Sequence, residues 1–283
     1  MTTSVDLQVT LSDLAEQFQG PAFDAAPYCP ICSGTAKFLH SAYNIHPEKN
    51  YSFSFRKCRE CGHGWIDPMP SQQLLDYLYG RSSPSVFGGW GEPGLSLPER
   101  ICADRELNRP PMRYFELGVG RGALYELFVS RGWQCSGVDP GDWAERLPNV
   151  YRSFETLPSG TEADLLVALD VLEHVREPVA MLRTLRKIAA RNARLYCAMP
   201  NRESARARIH REKWRMLRPL GHVNYFSRTS IASALTLSGF RVRNVQASDL
   251  TGVHIPRTLA QAVAVSIELL GIGDQWIVTA EAC

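Results

Sequence analysis

Three groups of residues have types and spacings that can do chemistry. The first is a set of four cysteines, CPIC at 29–32 and CREC at 58–61, which reads C-x2-C-x25-C-x2-C. Paired thiolates at this spacing place four soft ligands around one tetrahedral ion, so Cys29, Cys32, Cys58 and Cys61 are expected to bind zinc. A redox C-x-x-C belongs beside a βαβ unit, and this one has none nearby. Disulfides are disfavoured in a chain without a secretion signal. Four thiolates leave no coordination position open, so the zinc is expected to be structural. His63 lies two residues beyond the second pair and is expected to be a polar loop residue, not a ligand.

The second group is the stretch YFELGVGRGALYELF, residues 114–128. An apolar strand meets Gly118, Gly120 and Gly122, and a helix pattern follows. A P-loop needs Lys and Ser/Thr after its last glycine, and Ala123 and Leu124 stand there instead. A dinucleotide brings a pyrophosphate to the helix N-terminus, and Glu116 would repel it. S-adenosylmethionine carries an ammonium and a sulfonium in place of the phosphates. Glu116 suits its positive amino-acid end, and the glycines let the backbone come close. A tight strand–helix turn with no ligand remains the plain alternative. Asp139, at the end of the next strand in GVDP, can accept hydrogen bonds from ribose hydroxyls, which fits any nucleoside cofactor.

The third group follows the later strands. DVLEHV places Asp170, Glu173 and His174 together, and GHVNYFS contains His222. Histidine is the side chain best poised to take a proton near neutrality. His222 is the first candidate for a general base and His174 the second. For each, the plain alternative is a structural role: capping or packing at a helix start for His174, a bond to a backbone group for His222. Trp214 and Tyr225 are expected as pocket walls. The stretch 201–219 carries Arg202, Arg206, Arg208, Arg211, Lys213, Arg215 and Arg218 against two acids. It is either a solvated helix face or a surface for an acidic acceptor or RNA.

These groups must be held by a scaffold. The chain has 283 residues, 45% apolar and 21% charged, with net charge +2, which is the profile of a globular protein with a sizeable core. That balance argues against a general polyanion binder. No apolar run reaches membrane-spanning length, and MTTSVDLQVTLSDLAEQF lacks the features of a signal peptide, so a cytoplasmic location is expected. Residues 1–20 read as a short amphipathic helix, and 67–80, with its Pro and Ser start signals, as another, on Leu74, Leu75 and Leu78. The Gly-, Pro- and Ser-rich stretch 82–98 reads as a linker. From 112 onward the patterns alternate: strands at 113–117, 134–139, 163–170, 193–200, 240–248 and 275–280, and helices at 122–131, 178–190 and 229–239. Such alternation predicts an α/β, doubly wound, mostly parallel sheet. Cys102, Cys135, Cys197 and Cys283 are expected to be reduced and without a site role.

FELGVGRG, GVDP, ADLLVALDVLEHV and RLYCAMPN, in this order, resemble the class I S-adenosylmethionine-dependent methyltransferases over about residues 100–283. The resemblance implies a seven-stranded Rossmann-like sheet. It also implies cofactor contacts at Glu116, Gly118, Gly120, Gly122, Asp139 and Asp170, with Phe154 and Glu155 at the adenine edge. Two departures stand out. Glu116 occupies a position more often Asp, and Pro140-Gly141-Asp142-Trp143 stands where the second helix usually starts. The CPIC…CRECGHGWIDPMPS…LLDYLYG pattern is similar to the zinc module ahead of some bacterial small-molecule and sugar methyltransferases. The implied organisation is a zinc-ribbon-like module over 1–81, a linker over 82–99 and a methyltransferase domain over 100–283. The expected activity is methyl transfer by in-line displacement to a small-molecule acceptor, a biosynthetic intermediate of the sugar or natural-product kind, for which the arginine run leaves an acidic group open, with no membrane and no nucleic acid as partner. The alternatives are an RNA or protein methyltransferase and a non-catalytic, zinc-stapled binding protein.

Overall fold

The computed structural model describes residues 17–43, 52–81, 112–248 and 272–283. Residues 1–16 of the helix expected over 1–20, the whole linker over 82–99 and Cys102 lie outside the described residues. The first part of the chain contains β1 (Phe23–Asp24), β2 (Ala36–Tyr43), β3 (Ser52–Cys58), β4 (Gly64–Asp67), β5 (Met69–Pro70) and α1 (Gln72–Arg81). The second part contains β6 (Arg113–Leu117), α2 (Ala123–Ser130), β7 (Gln134–Val138), β8 (Val150–Tyr151), β9 (Ala163–Leu169), α3 (Pro178–Ile188) and β10 (Ala189–Pro200). It continues with α4 (Ala205–His210), β11 (Asn224–Tyr225), α5 (Arg228–Leu237), β12 (Phe240–Ser248) and β13 (Gln275–Ala282).

Seven strands form one sheet in the order β12-β13-β10-β9-β6-β7-β8. β6 lies between β7 and β9, parallel to both, and β10 is parallel to β9. β13 runs antiparallel between β10 and β12. The strand order reverses beside β6, and ligands of open α/β sheets bind at such a switch point, beyond the carboxyl ends of the strands. Leu165, Leu166, Val167 and Ala168 of β9 are all buried, as a strand covered on both faces requires.

The expected elements recur with small shifts. β10 begins at Ala189, directly after α3, and carries an irregularity between Ala189 and Arg194. After Asp139 the usual helix is replaced by a short 3-10 turn, Asp142–Arg146, as Pro140 and Gly141 foreshadow.

The first part does not close a core alone. β4 pairs with β3 on one side and with β11 on the other, Asn224 opposite Trp65 and Tyr225 opposite Gly64. Phe53, Phe55, Ile66, Leu74 and Leu78 pack with Trp214, Met216, Leu217, Leu220 and Tyr225 in one cluster. Trp214 and Tyr225 therefore belong to a core shared by the two parts of the chain. His63, expected in a polar loop, is buried at the same joint. Its Nε2 lies 2.8 Å from Asn224 Oδ1 and its Nδ1 3.3 Å from Ser230 Oγ. Burial depresses its pKa to about 3, so it stays neutral.

Candidate functional site

The four N-terminal cysteines converge. Cys29 Sγ is 3.6 Å from Cys61 Sγ, and Cys32 Sγ is 3.5 Å from both Cys58 Sγ and Cys61 Sγ. Zinc–sulfur bonds of about 2.3 Å in a tetrahedron put the sulfurs about 3.8 Å apart, so the set fits that ion with little adjustment. All four thiols are free, and three are buried. The knuckle is tied to the rest of the chain. Ser227, the N-cap of α5, donates its hydroxyl to the Cys61 carbonyl at 3.1 Å, and Arg202 Nη1 donates to the Gly62 carbonyl at 2.9 Å.

The glycine turn sits at the carboxyl end of β6. Gly118, Gly120 and Gly122 all have positive φ, at 76°, 54° and 87°. At two of them the need for glycine is also steric. A Cβ on Gly118 would lie 2.4 Å from Val171 Cγ2, whereas one on Gly120 would meet no atom of the described residues within 4 Å. Gly120 thus faces open space at the switch point, as a cofactor cradle requires. Gly118→Ala is expected to cost about 3 kcal/mol, from overpacking and a left-handed non-glycine residue together. Gly120→Ala is expected to cost only about 1 kcal/mol. Thermal unfolding of the two variants checks the contrast.

Asp139 closes the turn from β7. Its carboxylate is buried and accepts from two backbone amides, Gly120 N at 2.7 Å and Gly141 N at 2.8 Å. Each oxygen keeps a lone pair for a further donor. Burial raises its pKa, and the two amides oppose that rise. Glu116 is buried on β6, and Tyr114 Oη donates to its Oε2 at 2.8 Å. Burial pushes Glu116 up to about 8; the Tyr114 hydroxyl opposes the rise and the Asp139 charge adds to it. Glu155 is exposed in a 3-10 turn, Phe154–Thr156, while Phe154 stacks on Phe115 at 5.8 Å.

The remaining candidates gather past the ends of β9 and β10. Asp170 sits at φ 52°, a left-handed conformation that Asp tolerates better than most residues, and accepts from Gln275 Nε2 at 3.3 Å. Glu173 is buried, and burial together with the Asp170 charge holds its carboxyl well above the usual range. His174 Nδ1 lies 2.7 Å from the Gly221 carbonyl and 2.5 Å from Tyr79 Oη. His222 Nδ1 lies 2.8 Å from the Met216 carbonyl. Burial lowers both imidazoles, His174 to about 4, so each is neutral near pH 7. The structural alternative for His222, a bond to a backbone group, is realised at Nδ1. The two rings nevertheless meet at 4.8 Å between centroids. Tyr79, from α1, is the member that sequence reasoning missed. It brings the first part of the chain into this cluster.

The arginines of 201–219 do not form one helical face. Arg202 is bound to the Gly62 carbonyl, and Arg206 and Arg215 approach Asp274 at 3.8 and 3.6 Å. Only Arg206 and Arg208 of the run lie in α4, which is six residues long. Among the described residues no helix is long and apolar enough to cross a membrane.

A family described as a methyltransferase domain matches residues 96–245, more than half of the chain. No curated protein matches. Among solved structures, the chain is similar to the 1,6-didemethyltoxoflavin-N1-methyltransferase of Burkholderia thailandensis. The identity is 15% and the TM-score 0.52, over 86% of this chain and 99% of that one. It is also similar to an S-adenosylmethionine-dependent methyltransferase from Mesorhizobium loti, with 15% identity and a TM-score of 0.47 over 68% of this chain and 98% of that one. The first likeness is one of fold. The glycine turn, the acid after the second parallel strand and the matched family lead to one assignment: the chain belongs to the methyltransferase domain family and is a class I S-adenosylmethionine-dependent enzyme.

Proposed function

We propose that the chain transfers a methyl group to a small-molecule acceptor, with structural zinc at Cys29, Cys32, Cys58 and Cys61. The cofactor supplies an already activated methyl group. Gly118, Gly120, Gly122 and Asp139 hold its methionine and ribose ends, and Glu116 faces its ammonium. Asp170 lies at the reacting end, and Glu155 is the weakest of these assignments because it is exposed. Residues 1–81 act as the zinc module, 82–99 as a linker and 100–283 as the catalytic domain. His222 and His174 orient the acceptor and accept its proton where the chemistry needs it.

The observation that carries this reading is enclosure. Glu173 and His222 are buried and His174 is partly buried past the carboxyl end of β9, a setting that favours a small acceptor over a polymer chain. Asp274 and the Gly62 carbonyl engage three of the arginines that an RNA-binding reading would use. The test is incubation with cofactor labelled in its methyl group and a cell extract split by ultrafiltration. Label is expected in the low-molecular-weight fraction. Label in RNA or protein would overturn the reading.

Two further outcomes follow from the turn. The methyl of Gly120→Ala enters the space assigned to the cofactor, so this variant is expected to fold but to bind S-adenosylhomocysteine at least about tenfold more weakly, which is about 1.4 kcal/mol. Calorimetric titration measures it. The second outcome concerns pH. The Glu116 carboxyl at about 8 lies above its usual 4.5, so the folded protein holds a proton that the unfolded chain releases. Its contribution to stability is complete below the unfolded value and is lost as pH rises through about 8. A ligand ammonium stabilises the ionised form, so binding releases that proton. S-Adenosylhomocysteine affinity is therefore expected to rise by up to about tenfold per pH unit below about pH 8. Glu116→Gln is expected to flatten that slope; an unchanged slope would remove Glu116 from the ammonium site.

A further inference from the structure

Glu173 is 1% exposed, and among the described residues neither of its carboxylate oxygens has a hydrogen-bond partner. Buried carboxylates are normally paired, hydrogen-bonded or bound to a metal, because an isolated one costs several kcal/mol. Methyl transfer from a sulfonium gives no reason to keep such a group. Two imidazoles surround it. His174 Nε2 lies 3.9 Å from Glu173 Oε1, and one ligand atom each from Glu173, His174 and His222 lies within 4.8 Å of the other two.

The tautomers follow from the backbone. A carbonyl oxygen only accepts, so the Met216 carbonyl assigns the proton of His222 to Nδ1, and the Gly221 carbonyl does the same for His174. In each neutral ring Nε2 is then the lone-pair atom. Tyr79 Oη packs against the same edge of His174 and donates to the Gly221 carbonyl at 3.1 Å, which fixes the ring further. Metal-ligating histidines are held in this way, with the second nitrogen donating to a carbonyl or carboxylate.

We propose that Glu173, His174 and His222 bind a divalent first-row transition cation, with coordination positions left open toward the acceptor; with the cation bound both Nε2 lone pairs are ligands, so the histidines orient the acceptor through it and do not take its proton. Two imidazoles and one carboxylate suit zinc, manganese or ferrous iron better than magnesium or calcium, which take oxygen ligands. Metal–ligand bonds of about 2.1 Å need ligand atoms about 3.0–3.4 Å apart, so the cation draws the three groups together by about 1 Å. Three protein ligands leave room for exogenous oxygen, as in catalytic sites, while the four-cysteine site is closed. The acceptor class that fits is a hydroxyl compound with a second oxygen placed to chelate. That last step rests on the small-molecule reading above; the cation site itself does not.

The test is titration of cobalt(II) into the zinc-replete protein, followed by visible absorption. The expected result is one equivalent of cobalt with ligand-field bands and without the intense charge transfer that thiolate ligands give. Glu173→Gln and His222→Gln are each expected to weaken that binding by at least about tenfold. Without cobalt, the zinc-replete Glu173→Gln protein is expected to melt no lower than zinc-replete wild type, because it loses an unpartnered buried carboxyl. No cobalt bound by the zinc-replete protein, or an equivalent bound by both variants as well as by wild type, would overturn the proposal. A parallel titration with S-adenosylhomocysteine separates the outcomes, since normal binding of that ligand without cobalt leaves the methyltransferase reading intact.

Discussion

Cys61→Ser is expected to strip the zinc and lower the melting temperature by more than about 10 °C, the largest effect of any single substitution considered. The four sulfurs converge, with three of their separations at 3.5–3.6 Å. Zinc held by such a set contributes about 10–16 kcal/mol of apparent binding energy in small zinc domains. That matches or exceeds the whole stability of an ordinary domain, about 5–15 kcal/mol. The segment has little to replace it. Cys29, Ile31, Cys58 and Cys61 lie inside the main buried cluster of the chain, so loosening the knuckle loosens that core as well. The damage also travels through the Cys61 carbonyl, which accepts from the cap of α5, and through the Gly62 carbonyl, which anchors Arg202. A loss of about 4–5 kcal/mol already shifts melting by about 10 °C in a chain of this size. Metal content per chain and thermal unfolding provide the check. Cys283→Ser, at an exposed thiol, is the control and is expected to leave both unchanged. Retention of a full equivalent of zinc in Cys61→Ser would remove the structural ion from the account.

The second large effect is expected at Asp139. Alanine there removes the acceptor for Gly120 N and for Gly141 N at once. Hydrogen bonds to a charged group contribute about 1.5–3 kcal/mol each, and a buried amide left without a partner costs about 1–3 kcal/mol. The glycine turn then loses the bond that holds Gly120 toward the open space. Contacts to ribose hydroxyls are lost as well. S-Adenosylhomocysteine affinity is expected to fall by at least about 100-fold, or about 2.7 kcal/mol. Stability is expected to fall by about 2–4 kcal/mol, from the two orphaned amides. Asp139→Asn keeps one acceptor oxygen and is expected to lie between alanine and wild type in both measurements. Titration calorimetry and urea unfolding separate the two effects. Near-normal affinity in Asp139→Ala would place the nucleoside elsewhere.

Much of the catalytic half was legible in the sequence because it is written in local patterns. The apolar runs at 113–117 and 163–169 and the period of 178–188 each report burial of a face, which is what a strand or helix in a covered sheet needs. The glycine turn and Asp139 were legible for the same reason: a positive φ and a close approach demand glycine whatever the rest of the fold does. What stayed hidden depends on pairing across long separations. β11 is two residues long and pairs with β4 about 160 residues earlier, so no local period announces it. His63 looks like a loop histidine until Asn224 and Ser230 close over it. Tyr79 sits in α1 behind Leu74, Leu75 and Leu78, where it reads as one more core residue. Only the packing of the first part against the loop at 221–226 brings its hydroxyl to His174. Glu173 was visible as a neighbour of His174, but its lack of a hydrogen-bond partner among the described residues is a property of the folded interior.

The central claim is that the turn at 118–122 holds S-adenosylmethionine and not a dinucleotide. The most direct measurement is calorimetric titration of the zinc-replete protein with S-adenosylhomocysteine, with NAD as the comparison ligand. The account predicts one site per chain with an affinity on the order of micromolar for the first ligand, about −8 kcal/mol, and no heat from the second. Binding of NAD, or of neither ligand by protein that is folded and carries its zinc, would contradict it.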